Sequence, residues 1–169
     1  MKKIVLIGPE STGKTTMALK LSARYGGCYV PEYSRSYVIE ENRELTMDDV
    51  MPIVEGQLAA ESKSNAEIQI LDSNPLASAV YSQWYYGSVP SELDKKLSEL
   101  HYDLYLLCYP DIDWEEDAAR CMSSQQDRED IYDMFLKRVQ QSGVPYAEIK
   151  GEGSDRYSKA INMVEKILD

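Results

Sequence analysis

Apolar and polar residues alternate in blocks along this chain, and the blocks come in two sizes. Five are short and nearly all apolar: KIVLI (3–7), CYV (28–30), IQILD (68–72), DLYLLCY (103–109) and PYAEI (145–149). A strand that reads apolar on both faces belongs in a parallel sheet covered by helices. The longer blocks carry the 3.6-residue period of amphipathic helices. Thr15–Tyr25 places Met17, Ala18, Leu21 and Tyr25 on one stripe, and Met47–Ile68, after Thr46 as N-cap, repeats Val50, Ile53, Val54 and Leu58. Pro75–Tyr86, Ser91–Leu100, Arg128–Ser142 and Arg156–Leu168 complete the helices, with Gly143 and Pro145 as a helix stop. Strands alternating with helices predict a doubly wound α/β sheet whose ligands sit at the carboxyl ends of the strands. No repeat, low-complexity run or linker interrupts the pattern, so residues 1–169 are expected to form one domain.

Between the first strand and the first helix lies Gly8-Pro9-Glu10-Ser11-Thr12-Gly13-Lys14-Thr15, followed by Thr16. This matches G-x-x-x-x-G-K-[ST] in full and in the right context, a buried strand before and a helix after. Glycines let the backbone curl until successive N–H groups point inward around an anion, and the following helix adds its N-terminal dipole. The residues from Gly8 through Glu10, Ser11, Thr12 and Gly13 to Thr16 are therefore the expected ATP-binding loop. Lys14 would reach the β- and γ-phosphates, and the Thr15 hydroxyl would ligate Mg²⁺. The fold this predicts is the three-layer P-loop NTPase fold, a five-stranded parallel sheet flanked by helices.

Two carboxylates fall at strand ends. VPEYSR follows the second strand and brings Glu32, Tyr33 and Arg35 to the carboxyl edge; LDSN ends the third strand with Asp72. Phosphoryl transfer to a hydroxyl needs a metal to neutralise charge and a carboxylate to take the acceptor's proton. Asp72 suits the metal and Glu32 the base, although sequence alone leaves the two assignments interchangeable. Arg35 is a candidate for binding substrate or for pairing with Glu32. After the fourth strand, residues 111–128 carry Trp114, Arg120 and Arg128 among many acids, the composition of a short lid whose arginines close over the phosphates. The run VYSQWYYG (80–87) offers Trp84 and tyrosines as a stacking platform for a flat ring, or as core packing.

Charge narrows the choice of substrate. The chain has 29 acidic against 18 basic residues, a net charge of −11, and a sequence pI near 4.6. An acidic protein of this kind is not expected to bind a nucleic-acid backbone. It leaves open a small substrate, a cationic one included. Cys28, Cys108 and Cys121 are widely spaced and odd in number, as in reduced core thiols rather than a metal site. His101 stands alone and is given no role. The apolar runs are strand-sized, and the first stops at a glycine loop rather than a cleavage site, so neither a membrane span nor a leader is expected. The expected location is the cytoplasm.

Taken together and in order, GPESTGKTT, VPEYSR, GQLAAE (56–61), LDSN, YSQWYYG and DLYLLCYPDIDWEEDAAR resemble the ribosylnicotinamide kinase domain of the bifunctional bacterial nicotinamide-nucleotide adenylyltransferases, and related stand-alone P-loop ATPase or kinase domains. The likeness runs from residue 4 to about residue 128. It implies ATP-dependent phosphorylation of the 5′-hydroxyl of nicotinamide riboside to give the mononucleotide. Glu32, Tyr33, Arg35 and Asp72 would then line the nucleoside site or serve as base and metal partner, with Trp114, Asp117, Arg120 and Arg128 in the lid. Such kinases commonly carry Asp-Thr-Asp after the third strand, where this chain has Asp72-Ser73-Asn74. The likeness covers the kinase part alone, so neither adenylyl transfer nor DNA binding is expected of it. Two other readings stay open: a P-loop ATPase or nucleotide-dependent switch acting on a protein partner, and a kinase of another small metabolite. The oligomeric state is unassigned.

Overall fold

The computed structural model describes residues 1–114, 122, 124–151 and 153–168. Its five strands are β1 (Lys2–Ile7), β2 (Cys28–Val30), β3 (Ile68–Asp72), β4 (Leu104–Cys108) and β5 (Tyr146–Ile149). All pair in parallel, in the order β2-β3-β1-β4-β5. Each lies where an apolar run predicts it. The helices are α1 (Lys14–Tyr25), α2 (Tyr33–Glu41), α3 (Val50–Ser62), α4 (Pro75–Tyr86), α5 (Ser91–Glu99), α6 (Gln125–Ser142) and α7 (Gly153–Leu168).

Side chains of β1 divide strictly between two cores, because successive residues of a strand point to opposite faces. Ile4 and Leu6 pack with Met17 and Leu21 of α1 and Ala160 and Val164 of α7. Val5 and Ile7 pack on the other face with Val80 of α4 and Ile131, Phe135 and Val139 of α6. A smaller cluster joins Val50 and Val54 of α3 to Ala79 and Leu93. Among the described residues no helix is long and apolar enough to cross a membrane.

Four elements differ from the periodic reading, α7 among them, which begins at Gly153 rather than Arg156. Helix α2 was not predicted, and it buries none of its residues, so it carries no apolar stripe to detect. The block read as Met47–Ile68 is a 3-10 turn over Met47–Asp49 followed by α3, which stops at Ser62. Thr46 does cap this segment: its amide donates to Asp49 Oδ2 at 2.8 Å while the Asp49 amide donates to the Thr46 carbonyl at 3.1 Å. Helix α6 begins at Gln125, earlier than predicted, because Ser124 accepts a hydrogen bond from the Asp127 amide.

The chain leaves central β1, builds β2 and β3 on one side, then crosses to β4 and β5 on the other. The reversal opens a crevice at the carboxyl ends of β1, β3 and β4, where such sheets bind ligands. Gly8, the first residue after β1, makes the crevice possible. It has φ +137°, and a Cβ there would stand 2.5 Å from the Cys108 carbonyl oxygen of β4. We expect Gly8→Ala to cost about 2–4 kcal/mol through strain and backbone displacement. Urea denaturation checks this; an unchanged midpoint would show that loop and strand separate freely.

Candidate functional site

A cavity of about 940 Å³ occupies the crevice. Its floor is the loop from Glu10 to Thr16, where Ser11 (φ +55°) and Gly13 (φ +73°) supply the left-handed turns that curl the backbone. Gly13 is also the N-cap of α1, whose first turn holds no acidic residue, so none of the helix's own side chains competes with an anion for the positive end of its dipole. Lys14 bends back and donates to the carbonyls of Gly8 at 2.9 Å and Pro9 at 2.6 Å.

When amides turn inward, the loop's carbonyls turn outward and need donors of their own. Two arginines supply them. Arg128, fully buried on α6, donates to the carbonyls of Ser11 at 3.2 Å and Ile112 at 2.8 Å, and to Gln125 Oε1 at 3.1 Å. Arg156, buried on α7, donates to the carbonyls of Thr12 at 2.8 Å and Tyr109 at 3.1 Å and pairs with Asp111 at 2.5 Å. Glu10 adds a third tie, accepting from the Met122 amide at 3.0 Å, and Ser11 Oγ donates to the Asp113 carbonyl at 3.3 Å. Arg128, expected in a lid above the phosphates, does not line the cavity; it donates to the carbonyls of Ser11 and Ile112 and to the Gln125 side chain. Arg120 and Asp117 lie outside the described residues.

At the end of β3, Asp72 is buried with Oδ2 accepting from Thr15 Oγ1 at 2.5 Å and from Tyr29 OH at 3.2 Å. Burial and the Asp72 charge raise the Tyr29 phenol well above its usual range, which keeps it protonated as a donor. The other oxygen, Asp72 Oδ1, is buried without a hydrogen-bond partner. A hydroxyl beside a carboxylate with one unsatisfied oxygen fits Mg²⁺. Among the described residues no group of three or more His, Cys, Asp or Glu side chains gathers for a metal. Mg²⁺ in phosphate-transfer sites is commonly held through one or two protein oxygens, with phosphates and water completing its shell.

Glu32 stands opposite, as the N-cap of α2. Its Oε1 accepts from Ser34 Oγ at 3.0 Å, and it lines the cavity. Dense packing pushes the carboxyl above the usual range; the Lys14 charge pulls it back, and Asp72 adds to the rise. Arg35 lines the same wall. The Asn74 position, acidic in the resembled kinases, serves structure here. Its Oδ1 accepts from the Leu76 amide at 3.2 Å to cap α4, and its Nδ2 donates to Tyr105 OH at 3.0 Å.

Beyond these carboxylates the cavity continues between α3 and α4, past Val50, Ile53, Ala77, Tyr81 and Tyr85. Tyr81 and Tyr85 stack with ring centres 6.1 Å apart and planes 13° from parallel. Trp84, on the same helix, packs against the core and does not line the cavity, and Tyr33 lies outside this cavity with its ring against Gly56 of α3. Trp114 does not line it either. At the far end Arg43 grips Asp49 through two bonds of 2.8 and 2.7 Å. Arg43, then the Thr46 amide, holds the Asp49 carboxyl well below its usual range.

Residues 3–156 match the profile of the family AAA_28, an AAA domain. The chain belongs to this family. It is also similar, at 20% identity over 99% of its length, to the trifunctional NAD biosynthesis/regulator protein NadR of Escherichia coli strain K12. It spans about 43% of the length of that relative. The solved structure of a NadR protein in complex with NR superposes with a TM-score of 0.81 at 25% identity, covering 98% of this chain and 51% of that one. Thymidylate kinase from Ehrlichia chaffeensis superposes with a TM-score of 0.66 at 17% identity, covering 99% and 98%. The fold is that of the P-loop nucleoside and nucleotide kinases.

Sequence reasoning gave no role to Arg156, to Tyr29 or to Gln57. For the two buttressing arginines a signal existed. Arg128 precedes Ile131, Tyr132, Phe135 and Val139 on one stripe of α6, and Arg156 precedes Ala160 and Val164 on one stripe of α7. A charge at the head of an apolar stripe is placed for burial. We expect Arg156→Ala to destabilise the fold by about 2–4 kcal/mol, since it strips a half-buried carboxylate and loop carbonyls of their donor. Arg156→Lys should recover only part, one ammonium replacing a planar fork. Urea denaturation of both variants measures the difference.

Proposed function

We propose that this protein is an ATP-dependent small-molecule kinase whose acceptor is a nucleoside, nicotinamide riboside first among candidates. The observation that carries the reading is the single cavity joining two unlike ends. One end is a phosphate-binding loop, the other an apolar and tyrosine-walled chamber, and Glu32 stands between them. A sensor or switch needs only the first end. The NadR structure bound to NR supports nicotinamide riboside, as do stacked tyrosines suited to a cationic pyridinium ring.

In this reading the loop amides and Lys14 hold the triphosphate, Lys14 exchanging loop carbonyls for phosphate oxygens. Thr15 and Asp72 would hold Mg²⁺, which when bound neutralises charge on the β- and γ-phosphates. Glu32 accepts the proton of the acceptor hydroxyl as its oxygen bonds to the γ-phosphorus and ADP departs. A carboxyl raised above its usual range is better matched to that proton near neutral pH. Arg35 binds on the acceptor side. Of the span 111–128, residues 125–128 belong to α6; Arg120 remains the proposed lid arginine, with Trp114 before it in sequence.

Incubation with Mg-ATP and a nucleoside panel, followed by product analysis, tests the reading. Nicotinamide mononucleotide is the expected product; ATP turnover without any phosphorylated nucleoside would sink the proposal. Lys14→Ala and Asp72→Asn should each lower transfer by about 10²–10³-fold or more. The rate should rise with pH as Glu32 loses its proton, along a limb centred above the ordinary carboxylate range. Glu32→Gln should remove that limb and lower kcat by about 10²–10⁴-fold.

A further inference from the structure

Gln57 belongs to the GQLAAE run that the catalytic reading leaves without a role. It lies on α3, lines the cavity, and is only 4% exposed. Its Oε1 accepts from the Tyr33 amide at 2.9 Å, at the first turn of α2 and one residue from Glu32. That bond fixes the orientation of the carboxamide and leaves the nitrogen only to donate. Nε2 is buried and has no hydrogen-bond partner. Leaving a buried donor unmet is costly, so a native protein keeps one where a ligand completes it.

The neighbouring glycine shows that this placement is built. A Cβ at residue 56 would fall 2.1–2.4 Å from ring atoms of Tyr33. Gly56 thus lets α2 settle onto α3 closely enough for Gln57 to reach the Tyr33 amide. One turn earlier on α3, Ile53 faces the same cavity. Gln57 therefore stands between the proposed base and the apolar chamber.

We propose that Gln57 determines acceptor specificity, its Nε2 donating a hydrogen bond to an oxygen of the bound nucleoside. The inference rests on the nucleoside-kinase reading and names a residue of its acceptor site. The oxygen is a sugar hydroxyl or the carbonyl of the ring carboxamide; both accept, and analogues separate them. A locked donor also favours acceptor oxygens over amino groups at that point of the substrate, because an amino group facing it leaves two donors unmatched.

The test compares wild type, Gln57→Glu and Gln57→Met on nicotinamide riboside, its 2′- and 3′-deoxy analogues, and the pyridine riboside without a carboxamide. Gln57→Glu keeps the acceptor for the Tyr33 amide but buries a charge near Glu32, so its Tm should fall; Gln57→Met removes the donor without adding a charge. Wild type should lose about tenfold in kcat/KM on the analogue that lacks the partner oxygen. Both variants should lose a similar factor on the parent riboside and nothing further on that analogue. Loss on the deoxy sugars assigns a hydroxyl; loss on the bare pyridine assigns the carbonyl. Equal losses on every compound, or variants as active as wild type, would overturn the role of Gln57. Calorimetric binding without ATP separates this from the activity itself. A wild type that binds the riboside, weakened in Gln57→Glu, sustains the contact even if no phosphate moves. A wild type that neither binds nor phosphorylates any compound ends both proposals.

Discussion

A loop that turns its amides inward must turn its carbonyls outward, and this constraint organises the molecule. Water cannot serve those carbonyls where the loop backs onto the sheet. Arg128 and Arg156 serve them, from helices on opposite faces. Each guanidinium spreads several donors in one plane and so ties the loop to the segment after β4 as well. Burying two cations demands a matching set of acceptors, and the outward carbonyls with Asp111 provide it. The phosphate site and the fold are stabilised by the same bonds.

The second organising feature is the sheet's reversal of direction at β1. It sets the loop, the end of β3 and the end of β4 around one crevice, so residues distant in sequence meet there. Thr15 reaches Asp72, and Gly8 lies against Cys108. The helices α2 and α3 then extend the crevice outward from Glu32. The donor end is framed by rigid strands and buttressed backbone; the acceptor end is framed by side chains of helices. Such a division allows acceptor preference to change without disturbing phosphate binding.

The sheet was legible because its central strands β1, β3 and β4 are buried on both faces and so read as nearly unbroken apolar runs. The loop was legible because its chemistry fixes residue types at fixed spacing. Helix α2 was not, since it buries no side chain and leaves no periodic trace. Choosing between Trp84 and Tyr81 or Tyr85 needed the rotation of α4 about its axis, which a cluster of aromatics does not disclose. Arg128 looked like a lid residue because its neighbours in sequence are charged, yet one of its partners, the Ser11 carbonyl, lies in the loop 117 positions earlier. Gln57 carried no signal of its own, because its orientation depends on an amide of another helix.

Lys14 bears on how tightly any nucleotide is held. Its ammonium is already satisfied by two loop carbonyls. An arriving phosphate therefore does not meet a bare charge; it competes with the protein's own backbone for that cation. Binding becomes an exchange of partners, and affinity reports only the difference between them. The carbonyls leave the ammonium's full charge in place, so the exchange trades hydrogen bonds and adds charge pairing.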